Sequence, residues 1–179
     1  MVIENFIDHG HLGTLHQAPC TVITPPAFEG VDFTTRYQLT RQWAGGRTIT
    51  SEISVHGRAL GAGVVSAGLG NSVQVVATLL PVPIDPGIVR IRIHTTVAIH
   101  PTRFPSGQVT RVPLRLLASA LNQGTLWSTA KDVAKDNPIW HYTRYEPHPR
   151  LAKGDGPIGA LRRWASQFYP DATGMPRGC

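Results

Sequence analysis

Within the first sixteen residues stand Asp8, His11 and His16, in the pattern Asp8-x-x-His11-x-x-x-x-His16, with Asn5 six residues ahead of His11. Two imidazoles and a carboxylate this close together are a donor set for a divalent metal. Imidazole suits iron, zinc, copper or nickel, and two His with one carboxylate and open positions is the non-haem Fe(II) arrangement. Zinc accepts the same ligands, which adds a structural or hydrolytic zinc site to the readings. The plain alternative is a His-rich surface helix, since the chain carries 8 His.

The element holding these groups must be distorted if they are to meet. Asn5 to His16 reads as a helix or helix-like turn. Residues three apart lie about 60° apart around a helix, so Asp8 and His11 share a face. Residues five apart lie about 140° apart, which keeps His11 and His16 from one metal on an ideal helix. Gly10 and Gly13 tolerate unusual backbone angles, and unwinding there would swing His16 round.

Downstream, Pro19, Pro25 and Pro26 predict a loop with a short extended piece over Ala18 to Gly30. Strands follow. Arg36 to Thr40 alternates, Gly45-Gly46 signals a hairpin turn, and Ile49, Ser51, Ile53 and Val55 share one face after it. Val64 to Ala67 and Val73 to Leu80 are two more. The clearest strand alternates Val89, Ile91, Ile93, Thr95, Val97 and Ile99 with Arg90, Arg92, His94, Thr96, Ala98 and His100. That period of two marks a half-exposed antiparallel strand. With Pro81 to Gly87 as the hairpin connection before it, an antiparallel meander of about five strands is expected.

Gly57 to Gly70 holds five glycines but lacks the third glycine of a dinucleotide fingerprint and has no helix after it. Glycines that let strands bend, or let a ligand approach the backbone, account for it better. After Pro113 the period becomes helical: Leu114, Leu117, Ala118 and Leu121, with Gly124 as a stop. Leu126 to Lys135 reads as a second helix or kinked extension, ended by Asn137-Pro138. A last helix starts at Asp155-Gly156-Pro157, with Ile158, Leu161, Ala165 and Phe168 as its apolar stripe and Arg162 and Arg163 pointing away. Asp155 is suited to cap that helix.

A chain of 179 residues fits one domain, and a domain of this size buries about 70% of the surface its unfolded form exposes. We read residues 1–170 as that domain and 171–179 as a flexible tail rich in Gly and Pro. The net charge of +6 raises nucleic acid as a partner, but the basic residues are scattered and form no run. Solubility, or docking of an acidic redox partner, explains the charge better. Cys20 and Cys179 make no disulfide framework and point to a reducing compartment, the cytoplasm. The longest apolar run, Val73 to Leu80, is too short to span a membrane.

Asn5-x-x-Asp8-x-x-His11-x-x-x-x-His16 resembles the iron-binding motif in the catalytic domain of Rieske-type non-haem iron oxygenases. Two later stretches, Asp136-Asn137-Pro138-Ile139-Trp140 and Asp155-Gly156-Pro157-Ile158 running to Leu161-Arg162-Arg163-Trp164 and Gln167-Phe168-Tyr169, resemble one branch of it. That branch holds the 3-ketosteroid 9α-hydroxylase oxygenase component and the cholesterol 7-desaturases. The resemblance implies an α+β helix-grip (START/Bet v1-like) catalytic domain, its curved antiparallel sheet packed on helices around a cavity. It implies His11 and His16 as iron ligands, Asp155 as the third, and Asn5 close to the metal. Asp8 becomes a bridge for electrons from a Rieske cluster on a neighbouring subunit of a homotrimer. The implied chemistry is O2 activation at Fe(II) and hydroxylation or desaturation of a steroid-like, apolar substrate.

A Rieske [2Fe-2S] cluster needs two Cys and two His, as Cys-x-His and Cys-x-x-His, and neither pair occurs in this sequence. The expectation is a catalytic domain incomplete at its N-terminus, inactive without a Rieske domain or partner fed by a ferredoxin-type reductase. A fragment of a longer gene product, a split subunit and a chain that no longer oxygenates are the three explanations. The last would be a helix-grip carrier of lipid or sterol.

Overall fold

The computed structural model describes residues 2–42, 44–70, 72–100, 114–146, 148–152 and 155–169. The expected tail at 171–179 lies outside them. Six strands form one sheet, each pairing antiparallel with the next: β1 (Cys20–Glu29), β2 (Asp32–Gln42), β3 (Thr48–Arg58), β4 (Ala62–Leu69), β5 (Val73–Asp85) and β6 (Ile88–Ile99). Three α-helices accompany it, α1 (His9–Thr14), α2 (Leu114–Tyr142) and α3 (Ile158–Ala165), with a 3-10 turn over Ile3–Phe6 before α1. The architecture is the expected α+β helix-grip type: a curved open antiparallel sheet with helices. Among the described residues no helix is long and apolar enough to cross a membrane.

The meander has one strand more than expected, because Ala18 to Gly30 is not a loop. Pro25 and Pro26 are accommodated inside β1, which lies at the sheet edge, where a missing N–H is tolerated. The register slips between Thr24, paired with Arg36, and Ala27, paired with Thr34, so the prolines sit in a bulge. Buried Thr35 reinforces the irregular stretch by donating its hydroxyl to the Thr24 carbonyl at 2.9 Å. Pro81 and Pro83 likewise lie within β5 rather than in a connection. Pairing of β4 with β5 stops at Gly63–Leu79, and β5 continues beyond it beside β6.

The strict alternation of β6 decides where the long helix packs. Ile91, Ile93, Thr95, Val97 and Ile99 are partly or fully buried, while Arg90, Arg92, His94 and Thr96 are exposed. α2 covers the inward face of β6 and β5, and the Thr95 hydroxyl donates to the Asn122 carbonyl at 3.5 Å. α2 is one helix of 29 residues, not two. It passes Gly124 and Pro138, which local propensity alone treats as a stop and an end. Pro138 forfeits one backbone bond, a cost of about 3 kcal/mol in a helix interior. Packing along the sheet outweighs that local preference.

The core lies at the other end of the sheet. Ile158, Leu161 and Ala165 of α3 are buried, and the first two join Ile3, Ile7, Phe33 and Val55 in one cluster. Trp164 sets its ring 5.5 Å from that of Phe33 and donates its indole N–H to the Gly30 carbonyl at 2.8 Å. Arg162 does not point away as expected: its Nε donates to Glu4 Oε1 at 2.7 Å, tying α3 to the first turn.

Three glycines allow this packing. A Cβ on Gly57 would fall 1.8 Å from the Phe33 ring, and one on Gly63 would fall 2.2 Å from the Phe6 ring. Two glycines of the glycine-rich stretch therefore make room for aromatic rings against β3 and β4. Gly156 is tighter against main chain, since its Cβ would sit 1.7 Å from the Ile7 carbonyl oxygen. The entry to α3 is thus pressed against the backbone of Ile7 and Asp8.

Candidate metal centre

The opening motif is not one distorted helix. Asp8, with φ −81° and ψ 88°, separates the 3-10 turn from α1, which ends at Thr14. Neither Gly10 nor Gly13 takes a positive φ, so the glycines are not where the chain departs from helix. His16 lies two residues beyond α1, and the change of direction is completed at Gln17, with φ 53°. Leaving the helix, rather than unwinding it, removes the 140° problem. The His11 and His16 rings meet edge-on with centroids 5.2 Å apart.

The third member of the group is Asp136 of α2. One ligand atom each from His11, His16 and Asp136 lie within 4.8 Å of one another. His16 Nε2 faces Asp136 Oδ1 at 3.3 Å, with side-chain exposures of only 6% and 8%. Asp136 Oδ1 and His16 Nδ1 are buried and have no hydrogen-bond partner among the described residues. Burial pushes the Asp136 carboxyl above the ordinary carboxylate range, against the opposing charges of His16 and His11 and the side chain of Asn5. Burial pushes His16 below the ordinary imidazole range, with Asp136 opposing and His11 adding to the shift. A neutral imidazole and an orphaned carboxylate oxygen aimed at one point form a donor set that a divalent cation satisfies.

The tautomer of His11 is fixed by its neighbour. Its Nδ1 lies 2.5 Å from the Asp8 carbonyl oxygen, which can only accept, so Nδ1 carries the proton. Nε2 then keeps its lone pair for a ligand. This is the hydrogen bond that metal-binding histidines make through their other ring nitrogen.

The remaining sequence candidates fall into place unevenly. Asn5 interacts with Asp136. Asp8 is adjacent: its carbonyl holds His11, and its Oδ1 is buried without a hydrogen-bond partner. Asp155 is not brought to the histidines. It is exposed, and its Oδ2 accepts the Ala152 N–H at 2.6 Å. The close passage of Gly156 along Ile7 fixes the chain there, and the carboxylate turns back on its own loop. It does not cap α3 either, whose N-cap is Pro157. Asp136 heads the stretch Asp136-Asn137-Pro138-Ile139-Trp140, yet sequence reasoning assigns it no role. A helix ending at Lys135 leaves Asp136 outside any element and hides the direction of its side chain.

A cavity of about 850 Å³ opens between sheet and helix, and His11, His16 and Asp136 form part of its wall. Leu39, Ile53, Val65 and Ala77 line it from the strands, and Leu121 and Trp140 from α2. This falls in the range of small-molecule sites, roughly 300–1,000 Å³, and has their usual character of apolar walls with a few convergent polar groups.

The chain is similar to known proteins. The cholesterol 7-desaturase nvd 1 of Ciona intestinalis is 44% identical over 46 residues, which make up 26% of this chain and 10% of that protein. The family model of the 3-ketosteroid 9alpha-hydroxylase C-terminal domain matches residues 1–169. With nearly the whole chain matched, and the two histidines set beside a carboxylate at an apolar cavity, the chain belongs to the 3-ketosteroid 9alpha-hydroxylase C-terminal domain family of Rieske-type oxygenases.

Proposed function

We propose that this chain is the iron-binding catalytic part of an oxygenase acting on an apolar, steroid-like substrate, with His11, His16 and Asp136 as the ligands of a mononuclear Fe(II). The observation that carries the reading is the convergence of these three side chains, with Asp136 Oδ1 buried and lacking a hydrogen bond, in the wall of the apolar cavity. Two His and one carboxylate leave positions open, as oxygen chemistry at non-haem iron requires. Iron held there supplies the redox chemistry that turns O2 on an unactivated C–H bond, in hydroxylation or desaturation.

The protein's own part is to bind, orient and exclude water. The strand side of the cavity offers aliphatic surface to a rigid hydrocarbon, and each Å² covered contributes about 25 cal/mol. Asn5 holds the Asp136 carboxylate, and the Asp8 carbonyl holds His11 so that Nε2 faces the metal. Electrons come from a Rieske [2Fe-2S] centre that lies outside these 179 residues. Asp8 is the proposed point of entry, because its backbone is hydrogen-bonded to the ligand His11 and its buried Oδ1 awaits a partner.

Anaerobic reconstitution with Fe(II) tests the reading. About one iron per chain is expected, lost in His16→Ala, together with binding of at least one member of a sterol panel. Sterol binding by a chain that takes up no metal supports instead a helix-grip carrier, which the cavity alone would serve. Zinc held in preference to iron under reducing conditions would sink the oxygenase reading.

A further inference from the structure

The metal group spans two parts of the fold. His11 and His16 come from α1 and the turn after it, which packs on β1, whereas Asp136 comes from α2, which packs on β6 and β5. β1 and β6 are the opposite edges of the sheet. Whether three ligand atoms meet therefore depends on what holds α2 over the sheet at the level of Asp136.

One contact between β2 and α2 does so. Arg41, on β2, donates from Nη2 to Asp132 Oδ2 at 2.8 Å, and Lys135 Nζ donates to Asp132 Oδ1 at 3.1 Å. Asp132 stands one turn before Asp136 on the same face of α2, a spacing at which Cβ atoms are about 6 Å apart. Both Arg41 and Asp132 line the cavity that holds the metal group. Their side chains are 44% and 24% exposed, so the pair is worth little as a stability device. Its placement gives it a more specific use. Burial alone would raise the Asp132 carboxyl, yet Arg41 and Lys135 outweigh burial and hold it below the ordinary range.

We propose that the Arg41–Asp132 pair is a clasp between β2 and α2 that positions Asp136 against His11 and His16 and thereby sets the metal affinity of the site. This rests on the metal reading above. Metal ligands need distances correct to about 0.2 Å. Loss of supporting contacts around a metal site costs about 10–100-fold in affinity.

The charges permit a sharp test, because a clasp and a simple field effect predict opposite signs for one variant. Deleting Arg41 removes a positive charge near the metal and leaves Asp132 paired with Lys135 alone, which a field effect alone would turn into tighter binding. Deleting Asp132 would weaken binding under either account. The metal-free protein is titrated anaerobically with Fe(II), and with Co(II) as a spectroscopic probe of ligand geometry. Arg41→Ala and Asp132→Asn are each expected to weaken binding about 10–100-fold and alter the Co(II) spectrum. The double variant is expected to be no weaker than the worse single.

Arg41→Lys keeps the charge without the guanidinium fork and is expected to fall between wild type and Arg41→Ala. It carries the test if Arg41→Ala loses its far-UV circular dichroism. Unchanged or tighter binding by Arg41→Ala, or by Arg41→Lys in its place, overturns the clasp while leaving the metal reading intact. A wild-type chain that binds no metal overturns both.

Discussion

Asp136 Oδ1 stands 3.3 Å from His16 Nε2, with both side chains more than nine-tenths buried. An acid and a base this close in a dry setting would ordinarily form a hydrogen-bonded ion pair. Here the oxygen has no hydrogen bond, and burial works against the charge on each partner. A cation between them resolves the conflict, which is why the relationship bears on function more than on stability.

The ligand assignment separates two aspartates. Asp136→Ala is expected to abolish stoichiometric iron, as are His11→Ala and His16→Ala, while Asp155→Ala retains it. Metal content by mass spectrometry after anaerobic reconstitution and desalting reads this directly. Iron lost in Asp155→Ala and kept in Asp136→Ala would return the third ligand to the last helix. Asn5→Ala is expected to keep the metal but bind it about 10–100-fold more weakly, as for other groups that orient a ligand.

The pKa directions give a stability prediction with a definite sign. Asp136 has a folded pKa above its unfolded value, so its favourable contribution is present at low pH and lost as pH rises through the folded pKa. Above that pKa the metal-free protein carries a buried carboxylate whose charge unfolding would relieve. Asp136→Asn is expected to raise the metal-free thermal midpoint by roughly 2–4 °C, corresponding to about 1 kcal/mol for a chain of this size. With Fe(II) present the order reverses, because only the wild type gains stability from the ligand. Paired melting curves at pH 7.5, with and without metal, check both halves.

His16 acts in the opposite sense. Its folded pKa is lowered, so folding is penalised as pH falls through the ordinary imidazole value near 6.5 and below. Metal uptake adds to that trend, because protons compete for the ring. Iron affinity is expected to fall steadily between pH 7 and pH 5, and fluorescence- or cobalt-monitored titration at several pH values measures it. A flat profile over that range would exclude His16 as a ligand.

Gly156 joins the two ends of the chain at the site. Gly156→Ala places a methyl against the Ile7 carbonyl, and backbone cannot rotate away as a side chain can. A loss of about 3 kcal/mol is expected, a drop of roughly 6–12 °C in midpoint, with weaker metal binding as Asp8 and His11 shift. Gly61→Ala, which meets nothing within 4 Å and lacks a positive φ, is the control and should stay within about 0.5 kcal/mol.

The cavity can be closed without touching the metal. Ala77→Phe projects a ring into it from β5. Sterol binding, followed through quenching of Trp127 and Trp140 in the cavity wall, is expected to weaken at least tenfold while iron content is unchanged. Equal affinity for wild type and variant would place the substrate elsewhere.

Much of this was written in local pattern. The alternation along β6, the glycine turn at Gly45-Gly46 and the stripe Ile158, Leu161 and Ala165 on α3 each depend on neighbours a few residues away. His11 and His16 were legible for the same reason, as two candidate metal donors within one short segment. What sequence could not determine were features that depend on distant partners. Pro25 and Pro26 join a strand because β1 happens to be an edge. Gly124 and Pro138 stay helical because a sheet lies beneath α2. Choosing between Asp136 and Asp155 needed both the course of that helix and the passage of Gly156 along Ile7. Both aspartates lie more than a hundred residues from the histidines, and only burial and direction of the side chain distinguish them. Residue types set what chemistry is available to this chain; packing selected the carboxylate that stands beside His11 and His16.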